Sequence, residues 1–257
     1  MTTLRLRAAR TKIVRCPKAL ENLHHALGRY PDVSLRSATI VLGLVFKLFR
    51  PASLLDVGCG AGAWLQASQD LGLAPSATLG IDGAYVPAEQ FLVDRSGFLA
   101  CDLSQKVRLG RRFELVVSVE VAEHLPPGRA RGFVEDLVVH GDVILFSAAT
   151  PSQGGAHHVN EQWPDYWAAL FAEQGYVQFD WIRPAIWANE DIAWWYRQNA
   201  MIYTNNGAIA EIFAPAPSFH GARLVHPERF AYLSRDQIVS AVGDKLNRLF
   251  SERWRPL

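Results

Sequence analysis

Three stretches of this sequence put chemically useful residues at spacings that chemistry requires. In the first, an apolar run, Leu54-Leu55-Asp56-Val57, breaks into Gly58-Cys59-Gly60-Ala61-Gly62 and resumes at Ala63-Trp64-Leu65 as an amphipathic segment. A strand, a tight turn and a helix start in that order let the backbone approach a ligand closely. The N–H groups opening the helix then favour a nucleotide-like occupant. In the second, Glu120, Glu123 and His124 stand at i, i+3 and i+4. On a helical turn that spacing gathers them on one side, a facing suited to oxygen and nitrogen metal ligands. The third, Gln153-Gly154-Gly155-Ala156-His157-His158, places two imidazoles in a glycine-rich loop. Either could accept a hydroxyl proton near neutral pH.

Gly58, Gly60 and Ala63 satisfy the G-x-G-x-x-G/A spacing of a dinucleotide site, so the residue before the loop decides between ligands. Asp56 at the strand end would repel a pyrophosphate and attract the ammonium and sulfonium of S-adenosylmethionine (SAM), which argues against a nicotinamide dinucleotide. Leu55-Asp56-Val57-Gly58-Cys59-Gly60-Ala61-Gly62 resembles motif I of the class I SAM-dependent methyltransferases, and the similarity continues as an ordered series of motifs over roughly residues 37–204. Asp82, which closes Leu79-Gly80-Ile81 and precedes Gly83, can accept both ribose hydroxyls. Ser118 and Val119, at the end of a later strand, are expected to flank the methionine part of SAM. The resemblance implies that Asp102 reads the adenine amine while the N–H of Leu103 reads the ring.

Methyl transfer to a hydroxyl also needs an unprotonated nucleophile, supplied by a base or by a metal. The Glu120-Glu123-His124 turn is similar to the metal-binding turn of small-RNA 2′-O-methyltransferases and of ubiquinone-pathway O-methyltransferases. In the first group a histidine beyond the fifth strand completes the set, a place His157 or His158 would take here. A divalent ion such as Mg²⁺ is the implied metal. Without one, His157, His158 and His124 are the candidate bases.

These residues need a scaffold that presents strand ends side by side. Short apolar runs near 53–57, 77–81, 97–101, 113–118, 142–147, 176–181 and 200–204 alternate with helical segments near 62–72, 84–92, 128–139, 160–174 and 190–198. That rhythm predicts a doubly wound α/β fold around a parallel sheet. By the resemblance, it becomes the seven-stranded Rossmann-like methyltransferase fold with one antiparallel strand. Residues 36–49 read as a helix before the first strand, stopped by Pro51, and Ser234 to about Phe250 as a C-terminal helix. The expected organisation is an N-terminal helical cap over 1–50, a SAM-binding core over 51–204 with an aromatic-rich insertion at about 182–199, and an extension over 205–257. Within the insertion, Trp187 and Trp194-Trp195-Tyr196 read equally as acceptor-binding faces and as a buried aromatic core.

A chain of 257 residues, 49% of them hydrophobic, can bury a substantial core, and a net charge of +1 gives no general pull toward nucleic acid. Lys and Arg residues cluster in the first eighteen positions, where they read as a solvated face or a basic arm. Cys16, Cys59 and Cys101 are odd in number and lack metal-type spacing, which fits a reducing cytoplasm. No membrane span is expected, and homodimerisation is possible in principle. The reading is O-methylation of a small molecule, a sugar or natural-product scaffold. RNA 2′-O-methylation and N- or C-methylation of a small molecule are the alternatives, with a non-catalytic SAM-binding subunit further behind.

Overall fold

A computed structural model describes residues 30–230 of the chain. The basic N-terminal stretch and the helix expected from Ser234 lie outside the described residues.

Seven strands form one sheet: β1 (Leu54–Val57), β2 (Thr78–Asp82), β3 (Phe98–Ala100), β4 (Leu115–Val119), β5 (Val143–Ser147), β6 (Val177–Phe179) and β7 (Met201–Thr204). Their order is β3-β2-β1-β4-β5-β7-β6. β7 pairs antiparallel with both β5 and β6, while the other neighbours pair parallel. The strands flanking the centre are buried throughout their length, as their unbroken apolar runs require in a sheet covered on both faces. The chain order turns back between β1 and β4, so a crevice opens beyond the carboxyl ends of those two strands.

Each face has its own apolar layer. On one, Ala38, Val41, Leu42 and Val45 of helix α1 (Tyr30–Leu48) pack with Trp64 and Leu65 of α2 (Ala63–Asp70). On the other, Phe133, Val134 and Leu137 of α3 (Ala130–His140) join Trp167 and Phe171 of α4 (Pro164–Ala172). The helix expected over 84–92 does not form. Pro87 disfavours helical geometry at the residue before it, and only a short 3₁₀ turn, Ala88–Gln90, follows.

Two short helices, α5 (Ile182–Ile186) and α6 (Trp194–Asn199), build the connection between β6 and β7, and α7 (Gly207–Phe213) follows β7. Arg183 organises the region. It is fully buried, its Nε donates to Asp180 at 2.6 Å and its Nη2 to the other Asp180 oxygen. Its Nη1 donates to the carbonyls of Ala222 at 3.0 Å and Gln198 at 3.3 Å, while the Gly221 N–H donates to Asp180 at 2.8 Å. The tail after α7 is thereby tied to the insertion. Among the described residues no helix is long and apolar enough to cross a membrane.

Removing one member of a buried ion pair strands the other without its counter-charge, at about 3–5 kcal/mol. Arg183→Ala is therefore expected to cost that much in chemical denaturation. A loss below about 1 kcal/mol would mean that Asp180 is solvated by other means.

Candidate active site

The loop after β1 is shaped by close contacts. Gly58 sits at φ +84°, and a Cβ there would come 2.3 Å from Val121 Cγ2, so no other residue fits without moving the β4 exit. The Cys59 side chain is buried against β2, where a Cβ on Gly80 would lie 2.7 Å from its sulfur. Only the backbone of Cys59 therefore faces the crevice. Gly60 donates its N–H to Asp82 Oδ2 at 2.7 Å, and Gly83 donates to Asp82 Oδ1 at 2.6 Å. The Tyr85 hydroxyl also bonds to Asp82, its ring lying where a Gly83 side chain would be.

Asp56 is different. It is buried, its Oδ2 has no hydrogen-bond partner, and burial followed by the charge of Asp82 raises its pKa well above the ordinary carboxylate value. Ser118, at the end of the adjacent β4, likewise buries a hydroxyl with no partner. Two unsatisfied polar side chains at neighbouring strand ends are what a bound ligand with a cationic and a polar group would complete. Val119 is buried beside Ser118. Asp102 lies after β3 and accepts the Ser104 N–H at 2.9 Å through one oxygen, which leaves the other open, and Leu103 is buried next to it.

On the far side of the crevice the expected helical facing of Glu120, Glu123 and His124 is corrected. Glu120 has φ +54° and precedes a 3₁₀ turn, Ala122–His124, so the three do not share a regular helical face, although the Glu120 and Glu123 carboxyls still meet. Its Oε1 accepts from Ser147 Oγ at 2.8 Å and Asn199 Nδ2 at 3.0 Å, and its Oε2 from Gln153 Nε2 at 2.8 Å. Glu123, His124 and His158 do converge, with ligand-type atoms all within 4.8 Å of one another. Glu123 is fully buried, and neither of its oxygens receives a hydrogen bond of good geometry, although the Ala149 N–H lies nearby. Burial, then the charge of Glu120, pushes its pKa well up. The imidazoles of His124 and His158 meet edge to face at 4.8 Å. Part of His124 faces solvent, yet desolvation of its ring and then His158 lower its pKa to about 4. His157, at φ +63°, turns its side chain to solvent and offers its backbone to the His124 ring.

Several residues here carry no sequence signal. Gln198 Nε2 donates to Gln153 Oε1 at 3.1 Å and to Thr150 Oγ1 at 2.9 Å, and Gln198 Oε1 accepts the His226 N–H at 2.8 Å. A buried amide chain thus runs from the tail to Glu120. The acceptor-face reading of Trp187 gives way to packing, since its ring lies 5.3 Å from Phe219 and 4.7 Å from His226. Tyr196 meets Trp64 at 5.5 Å.

Residues 32–200, more than half of the chain, match the family described as Methyltransferase domain. The chain belongs to the class I SAM-dependent methyltransferases. The methyltransferase shares its fold with magnesium protoporphyrin IX methyltransferase (ChlM) from Synechocystis PCC 6803 with bound SAH, at a TM-score of 0.51 and 14% identity over 74% of this chain and 95% of that one. SAM-bound CalS10, an amino pentose methyltransferase from Micromonospora echinaspora, gives 0.50 and 15% identity over 80% and 100%. DesVI from Streptomyces venezuelae gives 0.50 and 15% over 75% and 100%. At these identities the likeness is one of fold. Among curated protein sequences none matches significantly.

Because its folded pKa is raised, Asp56 contributes most to the unliganded methyltransferase's stability below its unfolded value of about 3.9, and that contribution is lost as pH rises through the folded pKa. Asp56→Asn should therefore raise the Tm of the SAM-free protein at pH 7 by at least about 2–4 °C, the change that 1 kcal/mol makes in a chain of this size. The gain should shrink toward pH 4. A lower Tm at pH 7 would show that the carboxylate is compensated inside the fold.

Proposed function

We propose that this methyltransferase transfers the methyl group of SAM to a hydroxyl of a small molecule, a sugar or natural-product scaffold. The observation that carries the reading is the convergence of His124, His158 and Glu123 just beyond β4, at the mouth of the crevice. An acceptor hydroxyl must lose its proton as it attacks, and an imidazole pair beside a buried carboxyl gives that proton a destination.

When bound, SAM supplies a methyl carbon made electrophilic by its sulfonium. The unsatisfied Asp56 oxygen suits its ammonium, and Asp82, fixed by the N–H groups of Gly60 and Gly83, suits the ribose hydroxyls. Ser118 and Val119 would border the methionine part, Asp102 and Leu103 the adenine. In the transfer, His158 would take the proton that the acceptor hydroxyl loses as it attacks. Alignment of the two reactants within the crevice contributes several kcal/mol, on the order of what near-attack positioning provides.

The same cluster fits a divalent cation. Glu123 has no hydrogen bond of good geometry to give up, and His124 and His158 lie beside it, a donor set of the kind that holds such ions. A cation held by Glu123, His124 and His158 would lower the pKa of a coordinated hydroxyl. Glu120, whose carboxyl already serves three donors, lines the site beside Glu123.

Metal analysis of the purified protein, followed by SAM calorimetry before and after chelation, tests both routes. Asp56→Asn is expected to weaken SAM binding about 10- to 100-fold, the loss of one charged hydrogen bond. Because the Asp56 pKa is raised, wild-type affinity should rise with pH above the ordinary carboxylate range as Asp56 ionises. Across a panel of hydroxylated acceptors, His158→Ala should lower turnover by about 10²–10⁴ while SAM affinity holds. Methylation confined to amines, or full turnover in His158→Ala, would overturn the reading.

A further inference from the structure

The histidine loop is held in an unusual shape by one side chain. Ser152 has φ +66°, Gly154 +71°, Gly155 +152° and His157 +63°. Left-handed backbone at non-glycine residues costs of order 1–3 kcal/mol each and persists only where the surroundings over-determine it. Here the surroundings are largely Glu161. Its Oε2 accepts the Ser152 N–H at 2.7 Å, and its Oε1 accepts both the Gly154 N–H at 2.8 Å and Nδ1 of His158 at 2.9 Å. Two backbone bonds at 2.8 and 3.0 Å, from Val159 and Asn160 to the Glu123 carbonyl, fasten the end of the loop to the turn that carries the buried carboxyl.

The bond to His158 has a chemical consequence. A carboxylate only accepts hydrogen bonds, so Nδ1 carries the proton and Nε2 of the neutral ring keeps its lone pair. That second nitrogen lies over Gly155, where a Cβ would stand 2.3 Å from it. Any side chain at 155 would cover or displace the nitrogen. The His158 side chain is only 12% exposed, so the ring has little freedom to turn away from Glu161.

We propose that Glu161 is the positioning residue of the active site: it locks His158 in the Nδ1–H tautomer and keeps Nε2 unprotonated toward the acceptor. Proton removal by His158 and ligation of a cation both require a bare ring nitrogen, so the assignment holds for either route. It rests on the reading that His158 takes part in methyl transfer. Neither the i, i+3, i+4 motif nor the histidine pair points to Glu161; the geometry of the loop does.

The test is two-bond ¹⁵N–¹H spectroscopy of the full chain labelled in histidine, with pH raised until the His158 signals stop changing. His158, assigned by comparison with His158→Asn, should show Nδ1 protonated and Nε2 bare. In Glu161→Ala the single tautomer should give way to a mixture. With an accepted hydroxyl substrate, kcat should fall about 10- to 100-fold, the range for loss of a partner that orients a histidine, at unchanged SAM affinity. An Nε2–H tautomer in the wild type, or an unchanged Nδ1–H tautomer in Glu161→Ala, would overturn the proposal. The wild-type spectrum decides even if the variant does not fold. If the tautomers behave as expected but His158→Asn keeps wild-type turnover, Glu161 still positions the ring, and it is the role of His158 in transfer that fails.

Discussion

Burying a carboxylate away from a counter-charge costs several kcal/mol, and this molecule does so twice at the same end of its sheet. Asp56 and Glu123 are both enclosed, and each has oxygens that no donor reaches. Other buried acids are treated differently. Asp82 receives two backbone N–H groups, Asp136 is met by Arg108 and Arg129, Asp180 by Arg183, and the Glu120 carboxylate by a hydroxyl and two amides. The contrast divides the acids into those that hold the protein together and those left for something that arrives later. The two unsatisfied groups lie on β1 and just after β4, adjacent strands, so the crevice has two electron-rich poles.

Keeping these poles apart falls to backbone geometry more than to side-chain bulk. Glu120 leaves β4 in a left-handed conformation, which turns its carboxylate to Ser147 and Asn199 while the next turn brings in Glu123 and His124. The Glu120 N–H donates to the Ser147 carbonyl and also meets its hydroxyl, which fixes that conformation. The histidine loop then closes on the turn through the Glu123 carbonyl.

The centre of the sheet is legible because β4 and β5 are compact apolar runs, and burial on both faces leaves no other use for such runs. The glycine loop with Asp56 was legible because glycine and acid each have a physical reason to stand there. Helix 84–92 was misread because its composition outweighed Pro87. The i, i+3, i+4 spacing presumes a regular helix, and one positive φ replaces it with a 3₁₀ turn in which the Glu120 and Glu123 side chains still interact. Gln153, Gln198 and Asn199 left no trace in the pattern. An amide matters here through its orientation in a network, which depends on residues far apart in the chain.

The amide chain from His226 through Gln198 and Gln153 to Glu120 begins beyond residue 200, where the match to the family ends. The tail and the turn after β4 are therefore mechanically one piece. Transplanting the insertion alone into a relative would carry Gln198 away from its backbone donor and Arg183 away from the Ala222 carbonyl. Residues 150–158, 180–199 and 218–230 are thus bound into one set, a unit of inheritance larger than any single loop.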